Sequence, residues 1–222
     1  MAGAPDKTDS KQRKDVRNRL LEAAEVLFAE RGFDGTSVRD LAARAGCNVA
    51  SVNYYFGGKE NLYRQLWHRH LHELTRARIA SIEAVMSGGQ GPCLEDLLRS
   101  FSHAFVGPLM DDECGRRLMR LMAREMIDPH LPAEMFGKEV IRPTMGAMQG
   151  ALEKLCPQLD KSKVPAVVFS LVGQLVHAIR LRVMRECMED ELLEIFEPEK
   201  LTEHIVAFTA AGIRAYTRES AQ

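Results

Sequence analysis

No Cys-x-x-Cys spacing occurs in this 222-residue chain: Cys47, Cys93, Cys114, Cys156 and Cys187 are scattered and odd in number. That argues against a structural zinc site and a disulfide framework, and predicts reduced, mostly buried thiols. Cys47 alone falls in a turn beside a candidate binding helix. Charge of one sign is also missing, with 30 Lys and Arg against 31 Asp and Glu, so overall charge says nothing about a polyanionic partner. No apolar run is expected to reach the roughly eighteen residues that cross a bilayer. The basic N-terminus (Lys7, Lys11, Arg13, Lys14) has no apolar stretch before it, which argues against a secretory signal and predicts a cytoplasmic protein without a membrane partner. A nucleophile elbow, a phosphate loop, a zinc-protease motif and a dinucleotide fingerprint are all lacking, so no catalytic residue and no cofactor is expected. His68 and His72 stand four apart on one helix, but two ligands rarely hold a metal, and no metal site is expected.

What is present is helix, almost throughout. Residues 1–12 are polar and hold Gly3 and Pro5, which predicts a disordered arm. From Asp15, the residues Val16, Leu20, Ala24, Leu27 and Phe28 recur at helical spacing until Arg31-Gly32. A second helix is expected over Val38–Ala45, capped by Ser37 or Thr36, with Asp40 completing a capping box. After Gly46-Cys47, Asn48 can cap a third helix from Val49 to Tyr55. Gly57-Gly58 breaks the chain, and Lys59–Met86 reads as one long helix ended by the glycines at 88, 89 and 91. Further helices are expected over Leu94–Val106, Glu113–Ile127, Ala133–Leu155 (kinked at Pro143), Lys163–Met188 and Glu199–Thr217. No stretch alternates as a strand. The fold class is all-α, about nine helices. The first twenty residues hold six Lys and Arg against three Asp, while Glu186–Glu203 holds eight acids against Lys200 alone. Such a polarity would orient the molecule toward a polyanion.

Three short helices with a tight turn between the second and third describe a helix-turn-helix unit over residues 13–58. Val38, Leu41, Ala42 and Ala45 give the second helix a buried face, and Gly46 lets the chain reverse. Val52 and Phe56 hold the third helix on that core, leaving Ala50, Ser51, Asn53, Tyr54 and Tyr55 outward. This short polar face suits a DNA major groove. Asn53 can read an adenine, and the hydroxyls of Tyr54 and Tyr55 can bond phosphates. Lys59, Thr36 and Arg39 sit at helix starts, where backbone N–H groups favour a phosphate. The alternative for Tyr54 is packing against the fourth helix.

The stretch TSVRDLAARAGCNVASVNYYFGGKENLY, residues 36–63, closely resembles the signature of the tetracycline-repressor (TetR) family. It carries the Thr-led second helix, the Ala-x-x-Ala-Gly turn and YYFxxKExLY. The resemblance covers residues 14–63. It implies a two-fold dimer on a palindromic operator in double-stranded DNA, with repression relieved by a ligand. The family's DNA contacts would fall on Arg39, Asn48, Ala50, Asn53, Tyr54, Tyr55 and Lys59. Asn53 stands where many members carry an aromatic residue.

Residues 122–155, together with SLVGQLVHAIRLRV at 170–183, resemble the C-terminal domain of the CecR-type subgroup. The shared features are an Arg-Glu pair before a proline break and a Val-Ile-x-Pro step. Members of that subgroup are associated with efflux and drug tolerance. Residues 59–222 are therefore expected to form a ligand-sensing and dimerisation domain. An apolar pocket for an unidentified small effector is assigned to Phe101, Phe105, Met119, Met122, Met126, Phe169, Gln174 and His177; core packing is the competing reading of the Met and Phe residues. His103 and His177 are the sharpest polar candidates. Arg117, Arg120 and Arg124 form a solvated face or touch the DNA-binding domain or an anionic effector. The helices Lys163–Met188 and Glu199–Thr217 carry more apolar surface than one core needs, which predicts homodimerisation through them. The alternative for the whole chain is a helical small-molecule or lipid-binding protein, or an enzyme without a DNA role.

Overall fold

The computed structural model describes residues 7–89, 91–110, 113–184 and 197–219, and among them every regular element is helical. In chain order these are α1 (Lys7–Arg31), α2 (Val38–Ala45), α3 (Ala50–Phe56), α4 (Lys59–Met86), α5 (Leu94–Met110), α6 (Glu113–Ile127), α7 (Ala133–Phe136), α8 (Arg142–Leu155), α9 (Val164–Met184) and α10 (Pro198–Glu219). The helix begins at Lys7, so residues 7–12 correct the expected disordered arm: past Pro5 no residue breaks a helix, and Lys, Gln and Arg propagate one readily. Residues 1–6 lie outside the described residues, as do residues 185–196 with most of the acidic run.

The described chain forms two compact units. One gathers residues 7–70 and 113–133, so α6 belongs with the reading head and not with the other C-terminal helices. Its core is built from Leu20, Ala24 and Phe28 of α1, Leu41 of α2, Val52 and Phe56 of α3, and Leu62, Leu66 and Trp67 of α4, all essentially inaccessible to water. The Phe28 and Tyr63 rings meet edge to face with centroids 5.0 Å apart.

The second unit gathers residues 71–110, 134–184 and 197–219. Leu97, Leu98 and Phe101 of α5, Met148 of α8, Leu171 and Leu175 of α9 and Ala210 and Ile213 of α10 fill its interior. Here two proline expectations change. Gly107-Pro108 does not end α5, which runs on to Met110; so near a C-terminus the proline removes one bond without a turn beyond it to disrupt. Instead of a kink at Pro143, a π-helical turn over Gly137–Ile141 separates α7 from α8, closed by the Arg142 N–H on the Gly137 carbonyl. Pro143 has no N–H for the Glu139 carbonyl four residues back. The buried Thr75 of α4 supplies the missing donor, its Oγ1 lying 2.9 Å from that carbonyl oxygen.

A second correction concerns apolar length. Lys161–Leu181 is long and apolar enough, by length and composition, to cross a membrane. Its residues Val164, Val167, Val168, Leu171, Leu175 and Ile179 are buried in the unit, while Ala166, Phe169, Gly173 and Val176 stand exposed on the opposite face. The apolar content belongs to a helix with two apolar faces.

Candidate nucleic-acid interface

The reading surface begins with two turns. Ser37 caps α2: its Oγ accepts from the Asp40 N–H at 3.1 Å, and the Asp40 carboxylate accepts from the Ser37 N–H at 3.0 Å. The Ser37 hydroxyl first, and then the Ser37 N–H, donate to the Asp40 carboxylate and hold it below its ordinary pKa. Gly46 then ends α2 in the left-handed region, at φ 61°, where a side chain would be strained. Asn48 Oδ1 accepts from the Ala50 N–H at 2.9 Å, and α3 starts at Ala50, one residue later than expected, with Val49 in the cap position. At the other end Asn61 Nδ2 donates to the Phe56 carbonyl at 2.6 Å.

Val52 and Phe56 are buried, and this turns Ala50, Asn53 and Tyr54 into solvent, with Ser51 and Tyr55 half-buried beside them. Tyr54 is 67% exposed, and its ring meets Tyr55 edge to face rather than lying against α4. Arg39 and Asn48 are exposed. The structure thus leaves Arg39, Asn48, Ala50, Ser51, Asn53, Tyr54 and Tyr55 accessible on one unit.

Two expected contacts have other employment. Thr36 is buried, with its hydroxyl spent on the Gly32 carbonyl at 2.8 Å and the Leu27 carbonyl at 3.2 Å, so it cannot reach a phosphate. Lys59 Nζ donates to the Phe33 carbonyl at 3.0 Å and the Thr36 carbonyl at 3.2 Å, and stands 4.1 Å over the Phe33 ring. It fixes the α1–α2 turn and keeps one N–H to spare.

The unit is fastened by α6 through two of the arginines expected there and through Glu125 and Glu25, whose roles sequence reasoning missed. Arg124 donates to the Ala29 and Glu30 carbonyls, which α1 leaves without helical donors. Glu125 accepts from the Tyr63 hydroxyl at 2.7 Å and from the His130 and Leu131 N–H groups. Burial and this acceptor raise the Tyr63 pKa above its ordinary value. Glu25 of α1, buried, lies 2.8 Å from Arg69, 3.4 Å from His70 and 3.4 Å from Arg117, and accepts from the Cys114 thiol. His70 first, then Arg69, hold its carboxyl down to about 2 against the opposing effect of burial. Of the arginine run, Arg117 and Arg124 therefore touch the reading head, and Arg120 stays exposed. Asp34, Asp128 and His130 bring three possible metal-ligating groups together, with His130 Nε2 3.7 Å and 3.9 Å from the two carboxylates. Both carboxylates are open to solvent, as in a surface ion-pair cluster.

The residues assigned to an effector pocket separate. Met119, Met122 and Met126 lie on α6 in the first unit, and the other five lie in the second. Met126 is 80% and Phe169 79% exposed, which removes both from any enclosed pocket. Phe101 and Phe105 are core residues with rings 6.0 Å apart. Gln174 and His177 line a groove of about 590 Å³ between α9 and α10, with Leu201, His204, Ile205 and Phe208. His103 borders a separate cleft of about 370 Å³ with Met110, Pro198 and Thr202.

With this geometry in place, comparison with known proteins is decisive for the family. Residues 20–66 match the model of bacterial regulatory proteins of the tetR family, and residues 94–213 match the C-terminal domain of the HTH-type transcriptional dual regulator CecR. The chain belongs to the TetR family. Its C-terminal domain is of the CecR type. The chain is 27% identical to CecR of Shigella flexneri over 59% of its own length and 60% of that protein. It is 46% identical to the probable HTH-type transcriptional regulator YttP of Bacillus subtilis over 23% of its own length and 25% of that protein. It thus spans from a quarter to three-fifths of the length of these curated relatives. Among solved structures, FadR of Bacillus subtilis in complex with stearoyl-CoA aligns over 88% of this chain and 98% of that one, with a TM-score of 0.64 at 17% identity. The TetR family comprises transcription regulators rather than enzymes.

Proposed function

We propose that this chain is a dimeric DNA-binding transcription regulator of the cytoplasm, a repressor released from a palindromic operator by a small, largely apolar effector. The observation that carries the reading is the exposed Asn48–Tyr55 face on α3, held by a fully packed helix-turn-helix core. Asn53 offers a bidentate amide to a base edge, Tyr54 and Tyr55 offer hydroxyls to phosphates, and exposed Arg39 adds charge. A helical carrier has no use for such a face.

The dimer is assigned to α9 and α10. Phe169 and Val176 on α9, and Phe208 with Ala207, Ala211 and Gly212 on α10, stand exposed where a monomer would be expected to be polar. Small residues allow a second copy to approach closely and form a four-helix contact. Residues 185–188 of the expected interface lie outside the described residues.

Effector response is carried over from the relatives: the FadR structure holds stearoyl-CoA. The fastening of α6 to α1 and α4 by Arg124, Glu125 and Glu25 gives an effector that displaces α6 a lever on the reading head. The test is selection of DNA from a random-sequence pool, followed by fluorescence anisotropy at several salt concentrations. A palindromic consensus bound with a steep salt dependence is expected. Absence of sequence preference would overturn the reading.

A further inference from the structure

Along α4 a buried stripe runs Leu71, Leu74, Arg78, Ile82, at helical spacing. Three positions hold the apolar residues that such a stripe requires, and one holds a guanidinium. Arg78 is only 5% exposed. Its Cζ stands 3.9 Å over the ring of Phe105 on α5, and its Nε has no hydrogen-bond partner. No carboxylate among the described residues pairs with it, and burial alone lowers its pKa, to about 10, so it remains charged at neutral pH.

Other arginines of the same unit contrast sharply. Arg99 pairs with Asp96 and Glu203, and Arg214 with Glu95, all near the surface, where water would screen a lone charge. Among the described residues, the arginine for which a partner matters most has no carboxylate beside it. A ring face offsets part of the desolvation but leaves the N–H edge unused. A purely structural residue here would be apolar, because replacing a buried charge by an apolar side chain of similar volume is commonly neutral or stabilising. Thr144 Oγ1 on α8 is likewise buried in this unit without a partner.

We propose that Arg78 is the anion-recognising residue of the effector site, and that the effector is an amphipathic organic anion. Its carboxylate or phosphate pairs with the guanidinium, beside the Phe105 ring over which that group already stands. This inference rests on the effector-responsive reading given above and narrows its ligand class from largely apolar to apolar with one negative group.

The test uses the full-length protein and four probes with one tail and different heads: dodecanoate, dodecyl phosphate, dodecanol and dodecyltrimethylammonium, each below its micelle concentration. Binding is read by calorimetry and by the melting temperature. The two anions should bind at least about tenfold more tightly than the alcohol, the difference that a charge-assisted contact supplies, and the cation weakest of all. Arg78→Met should melt higher than the unsubstituted protein without ligand and lose the anion preference, while still binding dodecanol. Arg78→Lys should keep the preference, and it serves as the folded control if the Met variant fails to fold. Binding blind to the head group, or unchanged anion affinity in Arg78→Met, would overturn the role of Arg78 while leaving effector response standing. Inorganic phosphate bound as tightly as dodecyl phosphate would overturn the amphipathic class. Failure of every probe would overturn the proposal without touching DNA recognition, which the operator selection reads separately.

Discussion

Arg124 of α6 donates from its guanidinium to the carbonyl of Glu30 at 2.7 Å, so the C-terminus of α1 is capped by a residue 94 positions away. A cation at that end also meets the negative pole of the helix. Arg124→Ala should therefore destabilise the reading head by about 1 kcal/mol, the modest figure reflecting an exposed side chain. Urea denaturation checks it, and an unchanged midpoint would show that water replaces the cap without loss.

Glu25 makes a stronger and pH-dependent prediction. Its folded pKa, near 2, lies below the ordinary 4.5, so its contribution is fully present above about pH 4.5 and is lost as pH falls through 2. Glu25→Gln should cost about 3 kcal/mol at pH 7, because the shift of roughly two units disappears and the half-buried Arg69 and Arg117 lose their carboxylate. The gap between Glu25→Gln and the unsubstituted protein should close between pH 4.5 and 2. A gap of constant size across that range would show that shape, not charge, makes Glu25 matter.

Two substitutions on α3 separate base reading from anchoring. Asn53→Ala should reduce discrimination between operator and scrambled DNA by about 1–3 kcal/mol if its amide reads a base edge. Tyr54→Phe should weaken both DNAs together, since a phosphate contact carries no sequence information. Anisotropy titrations on the two DNAs decide, and the reverse pattern would exchange the two roles.

Local chemistry explains which parts of this molecule could be read in advance. The bounds of α2, α4 and α6 match expectation because their signals lie within a few residues: Ser37 with Asp40, Gly57-Gly58 before Lys59, and Asp128-Pro129 after Ile127. The outward face of α3 was legible because Val52 and Phe56 define its opposite side. Thr36 and Lys59 were misjudged because their hydroxyl and ammonium are consumed by carbonyls of the α1–α2 turn, a matter of tertiary placement. Arg78 sits at helical spacing among Leu71, Leu74 and Ile82, and spacing alone does not show that a charged side chain is buried there. Phe169 reads equally as core or surface, since α9 is apolar on two faces and periodicity cannot say which one the protomer buries.

The exposed faces of α9 and α10 predict that Phe208→Glu, at a residue 63% exposed, leaves the protomer folded but separates the dimer. Light scattering after size exclusion should report the halved mass, with helicity unchanged by circular dichroism. Operator affinity should fall steeply, because one reading head engages only half a site and loses the gain from tethering. A dimeric Phe208→Glu protein would place the interface elsewhere.

Thr75 and Pro143 permit the sharpest internal test. Thr75→Val should cost about 1–2 kcal/mol, because the Glu139 carbonyl loses the Thr75 hydroxyl while Pro143 withholds the helical donor. In a Pro143→Ala background the backbone N–H of residue 143 can serve that carbonyl, so the same Thr75→Val change should cost markedly less. The difference is read from urea midpoints in a double-mutant cycle. Equal costs in both backgrounds would mean that Thr75 stabilises α4 through packing alone, and that the π turn meets its own hydrogen-bonding needs. A coupling close to the single-mutant cost would instead make Thr75 the reason a proline can sit in the first turn of α8.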